Sequence, residues 1–500
     1  MKRIILAFIL LITGSSLISA LTLSEMFGEG MVLQQGNQTR IFGTAQPHEP
    51  VSVRLSEMKA VYCKADDQGN WLVEVTTPEA GGPYTLQIKG AKGGQVKLSE
   101  VYVGDVWLAG GQSNMYFQMR NVQNAKEHIA RANNPMIRMA RIPLPDGLQP
   151  SSESVTWTAA TGKSLEWQTA VGYFFAKEIY DTLNYPIGII SCNRGSTSAE
   201  TWVPREDLMR SPVLAARVTD YEQRIAHYKE GDYELKYSLF KKQREAYNNA
   251  LSKGDKSVKR PNEPLGKAHP SWPSAMYEMM LSRTVPFSVK GVIWYQGESN
   301  ATRYYEYEES LTAVITSWRK LFRDKGLPFY FVQLSNYGTS QPWAELREVQ
   351  SKVADKIANT GMAVSIDCGA ENDIHPTNKE PVGKRLAAIA LAKTYKRNIQ
   401  HRGPEVKKIS IKGESVEIDW KFTDGGLKHK ENEIKGFTIC GQDSVYYTAR
   451  AVLTGNKITL SSEKVSNPIA IRYGWASWTD ANLSNGAGFP VSPFRLSLKQ

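Results

Sequence analysis

Cysteine and histidine are scarce in this 500-residue chain: there are four of one and seven of the other. Cys63, Cys192, Cys368 and Cys440 stand far apart, with no CxxC pair and no HExxH cluster. That spacing excludes a zinc-type ligand set and a dense disulfide scaffold. No metal and no other cofactor is expected. Cys192 and Cys368 both lie near expected strand ends, and buried free thiols are the simpler reading of them. Low-complexity tracts and internal repeats are missing too, which sets aside solenoids and propellers. Beyond the first twenty residues no run is apolar enough to cross a bilayer. Lysine and arginine number 61 against 50 acidic residues, a net charge of +11. The basic residues are interleaved with acids, most densely over 222–268, so no nucleic-acid partner is expected. The excess suits either attraction of an anionic substrate or a solvated helical insertion.

The N-terminus is different in kind. Met1-Lys2-Arg3 precedes the apolar run IILAFILLI and the small-residue stretch SLISA. This is the grammar of a secretory signal peptide, residues 1–20, cleaved near Ala20; an uncleaved anchor is the alternative. No cysteine follows the run, which argues against a lipoprotein anchor. The expectation is a secreted or periplasmic protein with no stable membrane insertion after cleavage.

Length alone implies more than one core. Residues 21–100 fall into short alternating runs such as VSVRLS and WLVEVTT, separated by turns such as DDQGN. This predicts a small N-terminal β-sandwich-like domain. From 101 to 400 the rhythm becomes strand, helix, strand. Expected strands are VGDVWLA, IRMARI, IGIIS, GVIWY, FYFVQLS and MAVSID; expected helices lie near 169–183, 303–323, 343–358 and 378–396. That is an α/β pattern: a mostly parallel sheet with helices on both faces. Residues 205–280 read as a helical insertion. From 401 to 500 the β rhythm returns, predicting a C-terminal β-rich domain whose strands pair with the N-terminal ones.

One segment carries the chemistry. The strand YVGDVWLA runs through two glycines into Gln112-Ser113-Asn114-Met115. A serine on a tight turn at the end of a buried strand exposes its hydroxyl above the sheet. The segment is not G-x-S-x-G, because Met115 stands where that motif needs glycine. Far downstream, Asp373-Ile374-His375-Pro376 supplies a histidine for general base, with a carboxylate two residues away to orient it. Asp367 is a second candidate acid, and a Ser113–His375 dyad without an acid is the third possibility. Acyl transfer needs donors aimed at the oxyanion. The N–H groups of Ser113 and Gly195, with the Gln296 side chain, are the candidates. Glu298 and Asn300 read as supports of that site or as sugar contacts. Trp202 reads as an apolar wall or as core.

The blocks GGQSNM, the glycine loop at 195, WYQGESN and DIHP together resemble the SGNH-type hydrolases, most closely the sialate O-acetylesterase family. The stretch 471–495 is similar to that family's closing segment. The resemblance implies a three-layer α/β/α SGNH-hydrolase-like domain flanked by N- and C-terminal β-rich domains. It implies a serine esterase that removes O-acetyl groups from sugars through an acetyl-enzyme, with Ser113 as nucleophile and His375 as base. An O-acetylated glycan or free sialic acid would be its substrate. Acetylxylan or another acetylated polysaccharide is the alternative substrate, and a noncatalytic carbohydrate-binding protein is the rival from outside the esterases.

Overall fold

The computed structural model describes residues 21–498, apart from 37, 146, 148, 256 and 268. The expected signal segment lies outside the described residues. The fold is mixed α/β, and one strand organises it. Strand β1 (Gln95–Gly111) is half exposed over its first six residues and buried at every residue from Val101 onward. The two halves do different work. The first pairs antiparallel with the strand Gly81–Gly90, which joins Pro50–Leu55. The second is the centre of a parallel sheet, where burial on both faces demands an unbroken apolar run. The expected domain boundary at residue 100 therefore falls inside a strand, and one hydrophobic core runs from the N-terminal strands through the α/β region.

The central sheet is completed by β2 (Asn133–Arg141), β3 (Trp157–Thr161), β4 (Ile187–Asn193), β5 (Gly291–Tyr295), β6 (Phe329–Val332) and β7 (Thr360–Ala363). Their spatial order is β3-β2-β4-β1-β5-β6-β7. All neighbours are parallel except β3, which runs antiparallel to β2. The chain builds from β1 outward on one side, returns through β4, and then crosses to β5 on the other. The carboxyl end of β1 is thus the point where strand order reverses, where open α/β sheets leave a crevice.

The principal helices are α1 (Ser113–Tyr116), α2 (Ala170–Leu183), α3 (Tyr304–Leu321), α4 (Trp343–Lys356) and α5 (Glu380–Lys393). Alternation along β1 assigns them to faces. Trp107 points to one face, against Phe175 of α2 and Tyr395 beyond α5. Gly110 opens on the opposite face, where Trp318 of α3 fills the space a side chain would take: an added Cβ would lie 2.6 Å from its ring. Between β4 and β5 stand the helices Pro212–Ile225 and Asp232–Ser252; the second buries none of its residues. Its alternating charges are a solvated face.

Residues beyond 405 form three small antiparallel sheets around a separate core that includes Trp420, Phe437 and Tyr473. Among the described residues these strands pair only with one another, not with the N-terminal ones as expected. One of their contacts with the α/β region is Arg347 of α4, a fully buried cation with no carboxylate partner among the described residues. Its guanidinium donates to the carbonyls of Leu334 (2.9 Å) and Ser335 (2.7 Å) beyond β6, and of Ala476 (2.8 Å) and Ser477 (3.0 Å). Burial pulls its pKa down to about 9, still charged at neutral pH. Arg347→Met removes a donor from all four; Ser335 keeps the Trp343 indole N–H and Ser477 the Tyr337 N–H, but Leu334 and Ala476 lose their partner, which should cost on the order of 3 kcal/mol of stability. Urea unfolding checks this; a midpoint within error of wild type would show that the clamp contributes nothing.

Candidate active site

Register sets the site level. Asn193 of β4 and Tyr295 of β5 both stand abreast of Gly111. The loops that leave these three strands therefore start side by side. Gly111 has φ +132°, and an added Cβ would lie 2.2 Å from the Tyr295 carbonyl oxygen. Only glycine fits there. The chain turns at once into α1, which places Ser113 at its first residue. Met115, two residues on, is anchored by Thr169, whose hydroxyl donates to the Met115 carbonyl (2.6 Å) and accepts from Gly172 N–H as the N-cap of α2.

Ser113 Oγ lies 2.8 Å from Nε2 of His375. The two are 262 residues apart in the chain. His375 sits on the loop between β7 and α5 and is half-buried. Burial pulls its pKa below 6.5; Asp373 pushes it up in part, and Lys379 pushes it further down. The imidazole is neutral at pH 7, the state a general base needs.

Asp373 accepts a hydrogen bond from the His375 backbone N–H (2.8 Å), an Asx turn that shapes the loop. Its carboxylate stands 3.8 Å from His375 Nδ1 and is 60% exposed. That is electrostatic proximity rather than a hydrogen bond. Asp367 is committed elsewhere. Arg385 of α5 holds it through two bonds of 2.6 and 2.7 Å. Burial pushes the Asp367 carboxyl up, but Arg385 outweighs this and holds it below the ordinary range.

The Gly195 backbone faces the nucleophile: an added Cβ would sit 3.5 Å from Ser113 Cβ. Among the described residues no group accepts the N–H of Ser113 or of Gly195. Gln296 takes a place different from the one expected. It is fully buried, and its carboxamide N–H groups donate to Thr197 O (3.1 Å) and to Asn300 Oδ1 (2.7 Å). Both donors are spent holding the 194–198 loop, so none is left to aim at an oxyanion. Asn300 also accepts from Ala199 N–H (3.0 Å) and donates to Glu200 (3.0 Å). Trp202 is fully buried in a cluster with Trp294 and Trp318, and its indole N–H donates to Thr197 (3.1 Å). It is core that braces the same loop, not a wall of the crevice.

Two residues were not singled out from the sequence. Asn114 is buried; its carboxamide donates to Glu298 (2.5 Å) and to the carbonyl of Ile374 (3.0 Å), the residue before His375. Lys379, almost wholly buried, donates to Asn114 Oδ1 (2.5 Å). Burial pulls the lysine down to about 7 and pushes Glu298 above the ordinary carboxylate value. A lysine in a polar loop reads as solvated, and its burial follows from how β5, α1 and α5 meet. All four cysteines are free thiols. Among the described residues no three His, Cys, Asp or Glu side chains gather as a metal site. Nor is any described helix long and apolar enough to cross a membrane.

Known proteins align with this site. The family described as "carbohydrate esterase, sialic acid-specific acetylesterase" matches residues 103–231 and 264–392. That span contains every residue of the site and leaves out the exposed helix Asp232–Ser252. The sialate O-acetylesterase of Mus musculus is 28% identical over 494 residues, covering 90% of this chain and 88% of its own. That of Rattus norvegicus is 27% identical, with the same coverage. The crystal structure of a carbohydrate acetylesterase from Xanthomonas citri superposes with a TM-score of 0.79 at 33% identity, covering 96% of this chain and all of that one.

The geometry sets two expectations. The acid limb of kcat/KM for p-nitrophenyl acetate should have its inflection below pH 6.5, because activity is lost as His375 becomes protonated. In Asp373→Asn that inflection should move lower still, since the carboxylate favours the imidazolium. With no direct hydrogen bond to lose, turnover should fall by well under the roughly ten-thousandfold cost of removing a buried triad aspartate. Asp367→Asn should leave the limb in place and lower the unfolding midpoint. A limb that moves with Asp367 and not with Asp373 would reverse the assignment.

Proposed function

This chain belongs to the sialic acid-specific acetylesterase family of carbohydrate esterases, and from that premise we propose that it is a serine esterase acting on O-acetylated sialic acid. That it is an esterase of sugar acetyl groups follows from the family and from its relatives; the noncatalytic carbohydrate-binding reading is set aside. The observation that carries the mechanism is the 2.8 Å contact between Ser113 Oγ and His375 Nε2.

In this reading Ser113 attacks the acetyl carbonyl as His375 Nε2 takes its proton. The oxyanion lies between the N–H groups of Ser113 and Gly195. His375 returns the proton to the departing sugar oxygen, leaving an acetyl-enzyme. Water, deprotonated by the same nitrogen, then releases acetate and restores the serine. Asp373 orients and biases the imidazole from solvent. Gln296, Asn300 and Trp202 hold the Gly195 loop.

The architecture fits the same reading. In this reading the α/β region built on β1 to β7 is a three-layer SGNH-type hydrolase fold, with the N-terminal strands joined to it through β1 and the strands beyond 405 as a second β-rich flank. Residues 1–20 serve as an export signal, which would make the protein secreted or periplasmic. A second substrate reading, an acetylated polysaccharide such as xylan, has its own support. The solved relative with 33% identity is a carbohydrate acetylesterase, a class that includes enzymes of other acetylated sugars.

Acetate release from a panel of O-acetylated sialic acids and acetylated xylan separates the two substrates. A fluorophosphonate should label Ser113, and Ser113→Ala should lose roughly a hundred-thousandfold or more in turnover. Labelling of another serine, with Ser113→Ala still active, would sink the mechanism. Turnover of xylan alone would sink the sialic acid assignment and leave the mechanism standing.

A further inference from the structure

The nucleophile and the base come from opposite ends of the α/β region, and something must fix their separation. Ser113 and His375 are both part-exposed, and their own contact is a single hydrogen bond. The stronger link lies one residue away on each side. Asn114 follows Ser113; Ile374 precedes His375. The Asn114 carboxamide bonds the Ile374 carbonyl at 3.0 Å and Glu298 at 2.5 Å through its two N–H groups. Its oxygen faces one donor, the Lys379 ammonium at 2.5 Å.

This arrangement has one consistent orientation. As the ammonium, lysine can only donate, whereas a carbonyl and a carboxylate can only accept. Turning the Asn114 amide over would set N–H against ammonium and oxygen against two acceptors. We propose that Lys379 is a positioning residue for acetyl transfer: by locking the Asn114 carboxamide it holds the Ser113 turn and the His375 loop at reacting distance. The proposal rests on the Ser113–His375 reading above and adds a residue that touches neither substrate nor reacting atoms.

Several features support a built site. Lys379 occupies the N-cap position of α5, four residues after His375, so the helix fixes its backbone. Its ammonium lies over the rings of Phe117 (4.8 Å) and Tyr295 (5.5 Å), the latter at the end of β5. The charged or titratable groups facing it are Glu298, Cys368 and Asp373. Those acting on His375 are Asp373 and Lys379 itself. The lysine charge opposes the imidazolium, so the strut that sets the distance also keeps the base neutral.

Lys379→Met provides the test, with p-nitrophenyl acetate as probe. A displacement of the pair by about 1 Å is worth on the order of a hundredfold in rate. The variant should lose about that factor in kcat with KM little changed, and its acid limb should move to higher pH as the repulsion on His375 is removed. A purely structural lysine would move stability and leave the acid limb where it was. Lys379→Met leaves the buried Glu298 without its nearby cation, a cost to folding; the double variant Lys379→Met with Glu298→Gln leaves no lone buried charge and carries the same expectation. A folded variant, single or double, with wild-type kcat and an unmoved acid limb overturns the proposal. Failure of the parent reading looks different: wild-type enzyme would then not be labelled at Ser113.

Discussion

Everything at this site depends on the close approach of two backbones at the end of β1. A Cβ at Gly111 would lie 2.2 Å from the Tyr295 oxygen, and one at Gly110 would enter the Trp318 ring. Two successive glycines therefore let β1 lie tightly against β5 and let α3 close over it. Without that approach Ser113 would not emerge level with the Gly195 and Gln296 loops. The glycines are more than a flexible hinge. They remove side chains at the one place where sheet, helix and neighbouring strand converge, and the left-handed φ of Gly111 turns the chain upward.

Behind the reacting groups lies a shell of buried amides and charges, nearly all with partners. Gln296, Asn300 and Glu200 form one such run, and Glu298, Asn114 and Lys379 form another. Buried polar groups contribute little net stability when satisfied but cost heavily when a partner is lost. Such networks suit a site that must hold geometry to a fraction of an ångström. The same logic explains why Asp367 was unsuited to orient the histidine. Its bidentate bond to Arg385 satisfies a buried guanidinium on α5, and turning it toward His375 would strand that cation.

The sequence was most legible where local pattern and tertiary role coincide. The apolar runs of β1, β4 and β5 and the periodic stretches of α2 to α5 lie close to where their spacing put them. Ser113, His375, Gly195 and Asp373 were each visible because their settings, strand ends and a short polar loop, are unusual in one dimension. What stayed hidden depended on packing. The sequence shows a glutamine after WY but not that Thr197 and Asn300 claim its N–H groups. It shows a break near residue 100 because side-chain alternation stops there, yet the strand continues while its burial changes from one face to both. It shows Lys379 as one charge among many, since nothing local reports that Phe117, Tyr295 and Asn114 enclose it.

The helical insertion belongs in the same account. Its long helix Asp232–Ser252 is solvated and lies outside the region shared with the family. The segment that returns the chain to the sheet is another matter. Glu263 there pairs with Arg194 at 3.2 Å, with both side chains largely buried. Arg194 immediately precedes Gly195, and its own N–H donates to the Gly111 carbonyl (3.2 Å). One residue thus joins the insertion, the end of β1 and the loop that faces Ser113. The charge carried by the insertion is distributed accordingly: the exposed helix holds many ions in water, where each pair contributes little. The Arg194–Glu263 pair, next to the loop that faces Ser113, is instead largely shielded from solvent.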